Sequence, residues 1–218
     1  MNYQKIKVQR TARYIVLGEV TPKTKHIWVC FHGYGQLASF FAKKFESFVS
    51  EETCFIIPEG ISRFYIHGKY ERVGASWLTR DMKDEEASES LAFINSVYSK
   101  VTADIDLQEV KLNIFGFSQG CAMACRWLSL IDKTAENFII WAGFFANGIS
   151  DIIEVDKLQN TKTTYVYGTK DEFLVSNPEI REQMLGDLKG HLDAKVIDFE
   201  GEHRVELSVL KKIMTNLK

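Results

Sequence analysis

Proline is scarce in this chain, with three in 218 residues, and no proline-rich or serine-rich stretch separates one part from another. Internal repeats and low-complexity tracts are also missing, so nothing in the sequence argues for more than one domain. A 45% hydrophobic content supplies one large core, and the length stops short of the size at which domains split. The expectation is a single domain over 1–218. No apolar run approaches the roughly 20 residues that cross a bilayer. The first eight residues lack the apolar centre of a signal peptide. Both absences point to a cytoplasmic chain with no membrane span. An excess of positive charge is missing too: 27 Lys and Arg face 29 Asp and Glu, a net charge of -2, which gives no electrostatic case for nucleic acid. Cysteine numbers four. Cys30 and Cys54 fall in strand-like segments. Cys121 and Cys125 stand one helical turn apart with no matching second pair, so they read as small core thiols, and no metal site is expected.

Glycine is not abundant either, yet two glycines frame the most informative segment. Gly116-Phe117-Ser118-Gln119-Gly120 lies where a strand-forming run at 110–115 meets a helix-like stretch at 121–128. That is the strand–turn–helix setting of a nucleophile elbow, in which the serine occupies a sharp, strained turn. Side chains two positions before or after it would collide with the neighbouring strand or helix, and glycines avoid the collision. Ser118 is the candidate nucleophile. The plainer alternative is a glycine-rich structural turn.

A serine hydroxyl has too high a pKa to attack unaided, so it needs an imidazole to take its proton and a carboxylate to orient that imidazole. In elbow-bearing folds the order is serine, acid, histidine, with the last two on loops after later strands. Residues 163–167 read as a strand, and Gly168-Thr169-Lys170-Asp171 follow as a turn. Residues 194–199 read as another strand, followed by Glu200-Gly201-Glu202-His203 and a helix-like end. Asp171 is the candidate acid and His203 the candidate base. Glu172 and Glu202 compete with Asp171, whose shorter side chain suits a buried seat against an imidazole. Among the other histidines, His26 sits at a strand start, His67 in a long loop and His191 beside Gly190. His32 reads as a loop brace.

An acyl-transfer site also needs two backbone N–H donors for the oxyanion. One comes with the elbow, from Gln119. The other is expected after the early strand at 27–31, where His32-Gly33-Tyr34-Gly35-Gln36 follow, and the N–H of Tyr34 is the candidate. Aromatic residues gather on loops of the same edge: Phe64, Tyr65, Tyr70 and Trp77 between 59 and 80, Phe144 and Phe145 after the strand at 137–142, and Phe173 beside Leu174 after Asp171. Phe64, Tyr65, Trp77, Phe144 and Phe173 are the candidate pocket, although aromatic residues in long loops equally serve to tie the loop down.

The chain resembles the phospholipase/carboxylesterase group of α/β-hydrolases, which contains acyl-protein thioesterases and small bacterial carboxylesterases. The resemblance rests on Phe31-His32-Gly33-Tyr34-Gly35, Gly74-Ala75-Ser76-Trp77, Gly116-Phe117-Ser118-Gln119-Gly120, the run from Gly168 to Val175, and Gly201-Glu202-His203. Three positions depart from the group: Gln36 stands where an aspartate is usual, Cys121 where a second glycine is usual, and Glu202 intervenes between Gly201 and His203. The resemblance implies a serine hydrolase cleaving carboxylic esters through an acyl-enzyme without cofactor. The apolar mouth of Phe64, Tyr65, Trp77, Phe144 and Phe173 adds an expectation of a small-molecule ester of short to medium acyl chain, and the sequence leaves monomer and homodimer both open. A thioesterase is the alternative. A dienelactone-hydrolase-like enzyme shares the fold but carries cysteine as nucleophile, and an inactive α/β-hydrolase binding module would lack an intact triad.

The coarse pattern agrees. An opening hairpin near 4–20 is expected first, then a strand at 26–31, a helix near 37–50, a strand at 53–58, a long connection and a helix near 84–101. After these come a strand at 110–116, a helix at 119–131, strands at 137–142 and 163–167, a helix at 178–190, a strand at 194–199 and a helix at 204–217. Strands apolar on both faces and separated by helices imply an α/β fold, a mostly parallel sheet covered on each side. Ligands bind beyond the C-terminal strand ends of such sheets, and the candidate site residues all fall there.

Overall fold

The computed structural model describes residues 2–68, 70–145 and 147–217; the side chain of His191 lies outside the described set. Among the described residues nine strands form, of which seven build one sheet: β1 (Tyr14–Leu17), β2 (His26–Phe31), β3 (Thr53–Pro58), β6 (Lys111–Phe117), β7 (Ala135–Trp141), β8 (Lys162–Gly168) and β9 (Lys195–Phe199). Across the sheet the order is β1-β3-β2-β6-β7-β8-β9. Every neighbouring pair is parallel except β1 against β3, where Tyr14 faces Pro58 and Leu17 faces Phe55. The antiparallel character expected near the N-terminus therefore comes from β1 on β3, and residues 2–13 carry no regular element.

Strand alternation divides the core into two layers. From β2, Ile27, Val29 and Phe31 point to one side, and Trp28 and Cys30 to the other. The first layer is closed by three helices: α2 (Lys83–Val101), α3 (Gln119–Leu130) and α5 (Pro178–Leu192), which bring Ile94, Val97, Met123, Trp127, Met184 and Leu188. The second is closed by α1 (Ala38–Ala42) and α6 (Leu207–Asn216), which bring Phe41, Leu210, Ile213 and Met214. Helix α6 buries Leu210, Ile213 and Met214, the i, i+3, i+4 spacing of a single apolar stripe. Helix α3 lies against the middle of the sheet and buries seven of its twelve residues, so its apolar positions run almost all the way round. A short helix, α4 (Glu172–Ser176), precedes α5. No helix of the described residues is long and apolar enough to cross a membrane.

Two expectations change in detail. The helix placed near 37–50 is only α1, followed by a tight 3-10 turn at Glu46–Phe48. Hydrogen bonds from Lys44 N–H to Phe41 O and from Phe45 N–H to Ala42 O tighten the chain after α1. This turns Phe45 onto the sheet, against Phe41, Phe55 and Phe115 at ring distances of 5.3, 5.4 and 5.1 Å. The long connection after β3 contains its own antiparallel pair, β4 (Ser62–Tyr65) and β5 (Val73–Ser76).

A buried carboxylate ties this region together. Glu59, at 2% exposure, accepts from Arg13 Nε at 2.6 Å, from Arg63 at 3.3 Å and from the Ala38 N–H at 3.0 Å. One side chain thus joins the N-terminal segment, the start of α1 and strand β4. The arginine pairs also offset the cost of holding a carboxylate out of water.

Phe45 has no exposed surface. Phe45→Ala removes the ring that fills the space between α1 and the sheet, and is expected to lower the unfolding free energy by about 3–5 kcal/mol. The check is a lowered urea midpoint with an unchanged slope.

Candidate active site

Ser118 begins the turn between β6 and α3 with φ 52° and ψ -121°, a left-handed conformation that costs a non-glycine residue energy. Its N–H is held by Trp141 O at 2.9 Å. The flanking glycines are required by contact. A Cβ at Gly120 would stand 2.2 Å from Phe31 O, and one at Gly116 would stand 2.7 Å from the Cys121 Cα. The strand and helix therefore approach each other closely enough to project the serine side chain beyond the sheet edge.

The structure brings Asp171 and His203 to that serine. His203 Nε2 lies 2.9 Å from Ser118 Oγ, and His203 Nδ1 lies 2.6 Å from Asp171 Oδ2. Asp171 is 1% exposed. Its other oxygen, Oδ1, accepts the Phe173 N–H at 3.0 Å, which caps α4. With one oxygen on the Phe173 N–H and the other on Nδ1, the carboxylate keeps the imidazole proton on Nδ1 and leaves Nε2 free to accept from the serine. The loops that carry the pair are bonded to each other: Thr169 N–H to Phe199 O and Lys170 N–H to Gly201 O, both at 2.8 Å. The His203 ring sits between Phe117 and Phe173, with centroids 5.1 and 5.4 Å away. Glu172 and Glu202 are exposed, and neither reaches the imidazole.

Both oxyanion candidates lie at this edge. Gln119 is the first residue of α3, so its N–H is one of those with no acceptor inside the helix. In the loop after β2 the amides on either side of Tyr34 are committed. Gly33 N–H goes to Gln36 Oε1 at 3.1 Å, and Gly35 N–H goes to Ala75 O at 2.9 Å. Gln36, one of the departures from the resembled group, thus serves as a loop brace.

His32 braces the same loop from beneath. Its Nε2 accepts the Gly60 N–H at 2.9 Å, which places the ring proton on Nδ1, 2.8 Å from Gly33 O. The ring is fully buried and stacks on Trp77 at 4.6 Å. Burial pulls its pKa down to about 4, only partly countered by the bond to Gly33 and by Glu59.

The candidate pocket residues divide. A cavity of about 150 Å3 beside the triad is lined by Ser118, Gln119, Ala142, Gly143, Phe144, Asp171, Phe173, Leu174 and His203. Phe144 and Phe173 belong to it. Phe64 stands on the other flank, stacked on Tyr34 at 4.9 Å. Tyr65, the next residue along β4, points to the opposite face of that hairpin, half exposed and 5.0 Å from Tyr70. Trp77 lines nothing. It is fully buried, and its indole N–H finds its acceptor inward, at His32 O, 2.8 Å away. Ala142 and Gly143 were not named as site residues from the sequence, although they directly follow β7, the strand next to β6. Among the described residues no cluster of His, Cys, Asp and Glu has the makings of a metal site.

The sheet order, with an antiparallel β1 at one edge and a strained serine after the central strand, is that of an α/β-hydrolase. The chain belongs to the serine hydrolase (FSH1) family, whose model matches residues 21–207. No curated protein matches it in sequence. Solved structures share the fold at low identity. Zea mays acyl-protein thioesterase 2 is 16% identical with a TM-score of 0.68, over 95% of this chain and 98% of that one. Esterase PE8 is 18% identical with a TM-score of 0.57, over 95% and 98%. The Bacillus cereus carboxylesterase is 13% identical with a TM-score of 0.57, over 94% and 92%.

The depressed pKa of His32 makes stability depend on pH. The unfolded imidazole, with its ordinary pKa near 6.5, binds a proton that the folded one refuses until about pH 4. Stability is therefore lost as pH falls from about 6.5 to about 4, by about 3 kcal/mol in total. The unfolding free energy of His32→Gln is expected to fall less steeply than that of the unchanged chain over this window. Equal slopes would remove His32 from the account.

Proposed function

We propose that this serine hydrolase cleaves uncharged carboxylic esters of short to medium acyl chain through an acyl-enzyme. The observation that carries the reading is the continuous hydrogen-bond line from the buried Asp171 through His203 to Ser118 Oγ, at 2.6 and 2.9 Å. His203 Nε2 takes the hydroxyl proton as Oγ attacks the carbonyl carbon. The oxyanion is held by the N–H groups of Gln119 and Tyr34. As the tetrahedral intermediate collapses, His203 returns the proton to the leaving alcohol, and the acyl group stays on Ser118. A water, deprotonated by the same imidazole, then releases the acid.

The two buried thiols under the elbow do not compete as nucleophiles. Burial pushes Cys125 up to about 12 and Cys121 well above its ordinary value, so neither provides a thiolate. That argues against dienelactone-hydrolase-like cysteine chemistry. The apolar lining from Phe144, Phe173 and Leu174 favours an uncharged acyl group, and a cavity of about 150 Å3 holds something near the size of benzene, about six carbons. Thioesters pass through the same steps, and an acyl-protein thioesterase shares the fold, so they are the second substrate class to assay.

A fluorophosphonate probe is expected to label the protein, and Ser118→Ala to abolish labelling. Asp171→Asn keeps the shape of the site but disturbs the tautomer of His203, for a loss of turnover on the order of 10⁴, whereas Glu172→Gln and Glu202→Gln have little effect. A folded, unlabelled protein is instead a binding module.

A chain-length series on p-nitrophenyl esters separates substrate classes. Rates rise from acetyl to butyryl or hexanoyl, since each buried methylene contributes about 0.8 kcal/mol until the pocket is full, and then decline. Leu174 is nearly buried at the cavity wall, and Leu174→Ala moves the optimum to longer chains. A preference of the unchanged enzyme for palmitoyl thioesters overturns the short-chain assignment.

A further inference from the structure

We infer that Trp77 and the side chain of Gln119 form a positioning brace that fixes the spacing between the two oxyanion donors, a role that rests on the ester-hydrolase reading. Those donors come from separate loops, Tyr34 after β2 and Gln119 after β6. No hydrogen bond joins the two residues directly among the described residues. Both loops are instead bonded to Trp77.

On one side, the Trp77 N–H donates to Gln119 Oε1 at 3.2 Å. The Gln119 amide group donates to Leu78 O at 2.9 Å and to Ser76 Oγ at 3.2 Å. The side chain of the elbow residue is thereby locked across residues 76–78. On the other side, the Trp77 indole N–H donates to His32 O at 2.8 Å, and its ring stacks on the His32 imidazole. That imidazole holds Gly33 O, directly before Tyr34. The third polar group of Trp77, its carbonyl, accepts from Ser90 Oγ of α2 at 2.7 Å.

A tryptophan that only fills a core needs a partner for its indole N–H and nothing more. Here the backbone N–H, the carbonyl and the indole each bond a different element, and the line Gln119–Trp77–His32–Gly33 runs from one donor to the residue before the other. An oxyanion site gains its power from donors already in place before charge develops. A displacement of about 1 Å in such a site can cost about 10²-fold in rate. The brace supplies that placement without touching substrate.

The test is Gln119→Met, which keeps the backbone N–H and the approximate shape while removing the side-chain bonds. Turnover on a soluble p-nitrophenyl ester is expected to fall about 10–100-fold with KM within about twofold, and the affinity for a trifluoromethyl ketone bearing the same acyl group to fall by a similar factor. Trp77→Phe, which keeps an aromatic ring but loses the indole donor and part of the ring system, is expected to move the same quantities in the same direction. Turnover within about twofold of the unchanged enzyme overturns the inference. So does a lowered Tm with unchanged ketone affinity, which marks a purely structural role, as does failure of both variants to fold. Absence of ester hydrolysis in the unchanged enzyme is a separate result, and it removes the underlying reading rather than the brace.

Discussion

The strained backbone of Ser118 is the constraint around which the rest of the site is arranged. A φ of 52° on a serine costs on the order of 1–3 kcal/mol and persists only where its surroundings over-determine it. Here they do so by contact. Strand β6 meets helix α3 at Gly116 and the end of β2 meets it at Gly120, two positions that admit no side chain, and the end of β7 fixes the serine amide.

The loops around the elbow are then held by polar groups taken out of water. Glu59 gathers two arginines and a helix start, and the next residue, Gly60, gives its N–H to His32. A buried carboxylate and a buried neutral imidazole, in contact with the chain at the adjacent residues 59 and 60, brace the loop that carries Tyr34. Both are costly to bury alone and tolerable once bonded. The surroundings of the candidate site are therefore densely hydrogen-bonded on the Tyr34 flank and apolar on the opposite one, where Phe144 and Phe173 keep substantial exposure.

Much of this was legible in the sequence because its signals are local. The elbow is written in five consecutive residues, and each partner follows its own strand by a few positions, so a correct reading of strands was enough to put Ser118, Asp171 and His203 on one edge. Trp77 was misplaced because an aromatic residue in a long connection has the same local signature whether it faces a ligand or the core. What decided it was an acceptor, His32 O, contributed by residues 45 positions away. Tyr65 was misplaced for a related reason. The period-2 alternation that turns it away from Phe64 exists only once β4 pairs with β5, and that pairing was hidden in a stretch with weak strand character. Glu59 gave no signal at all, since a carboxylate becomes a buried hub only through arginines that the fold delivers.

The order of the strands in space has a consequence for how such a molecule comes into being. The serine directly follows the central strand, but its imidazole partner, 85 residues away along the polypeptide, follows β9, the last strand of the chain and an edge of the sheet. As a ribosome releases the chain from its N-terminal end, the elbow can form while the imidazole has yet to be synthesised. The hydrogen-bond line from Asp171 through His203 to Ser118 is therefore missing from every partly built intermediate. It closes only once β9 has joined the sheet, so its formation during biosynthesis times the completion of the sheet itself.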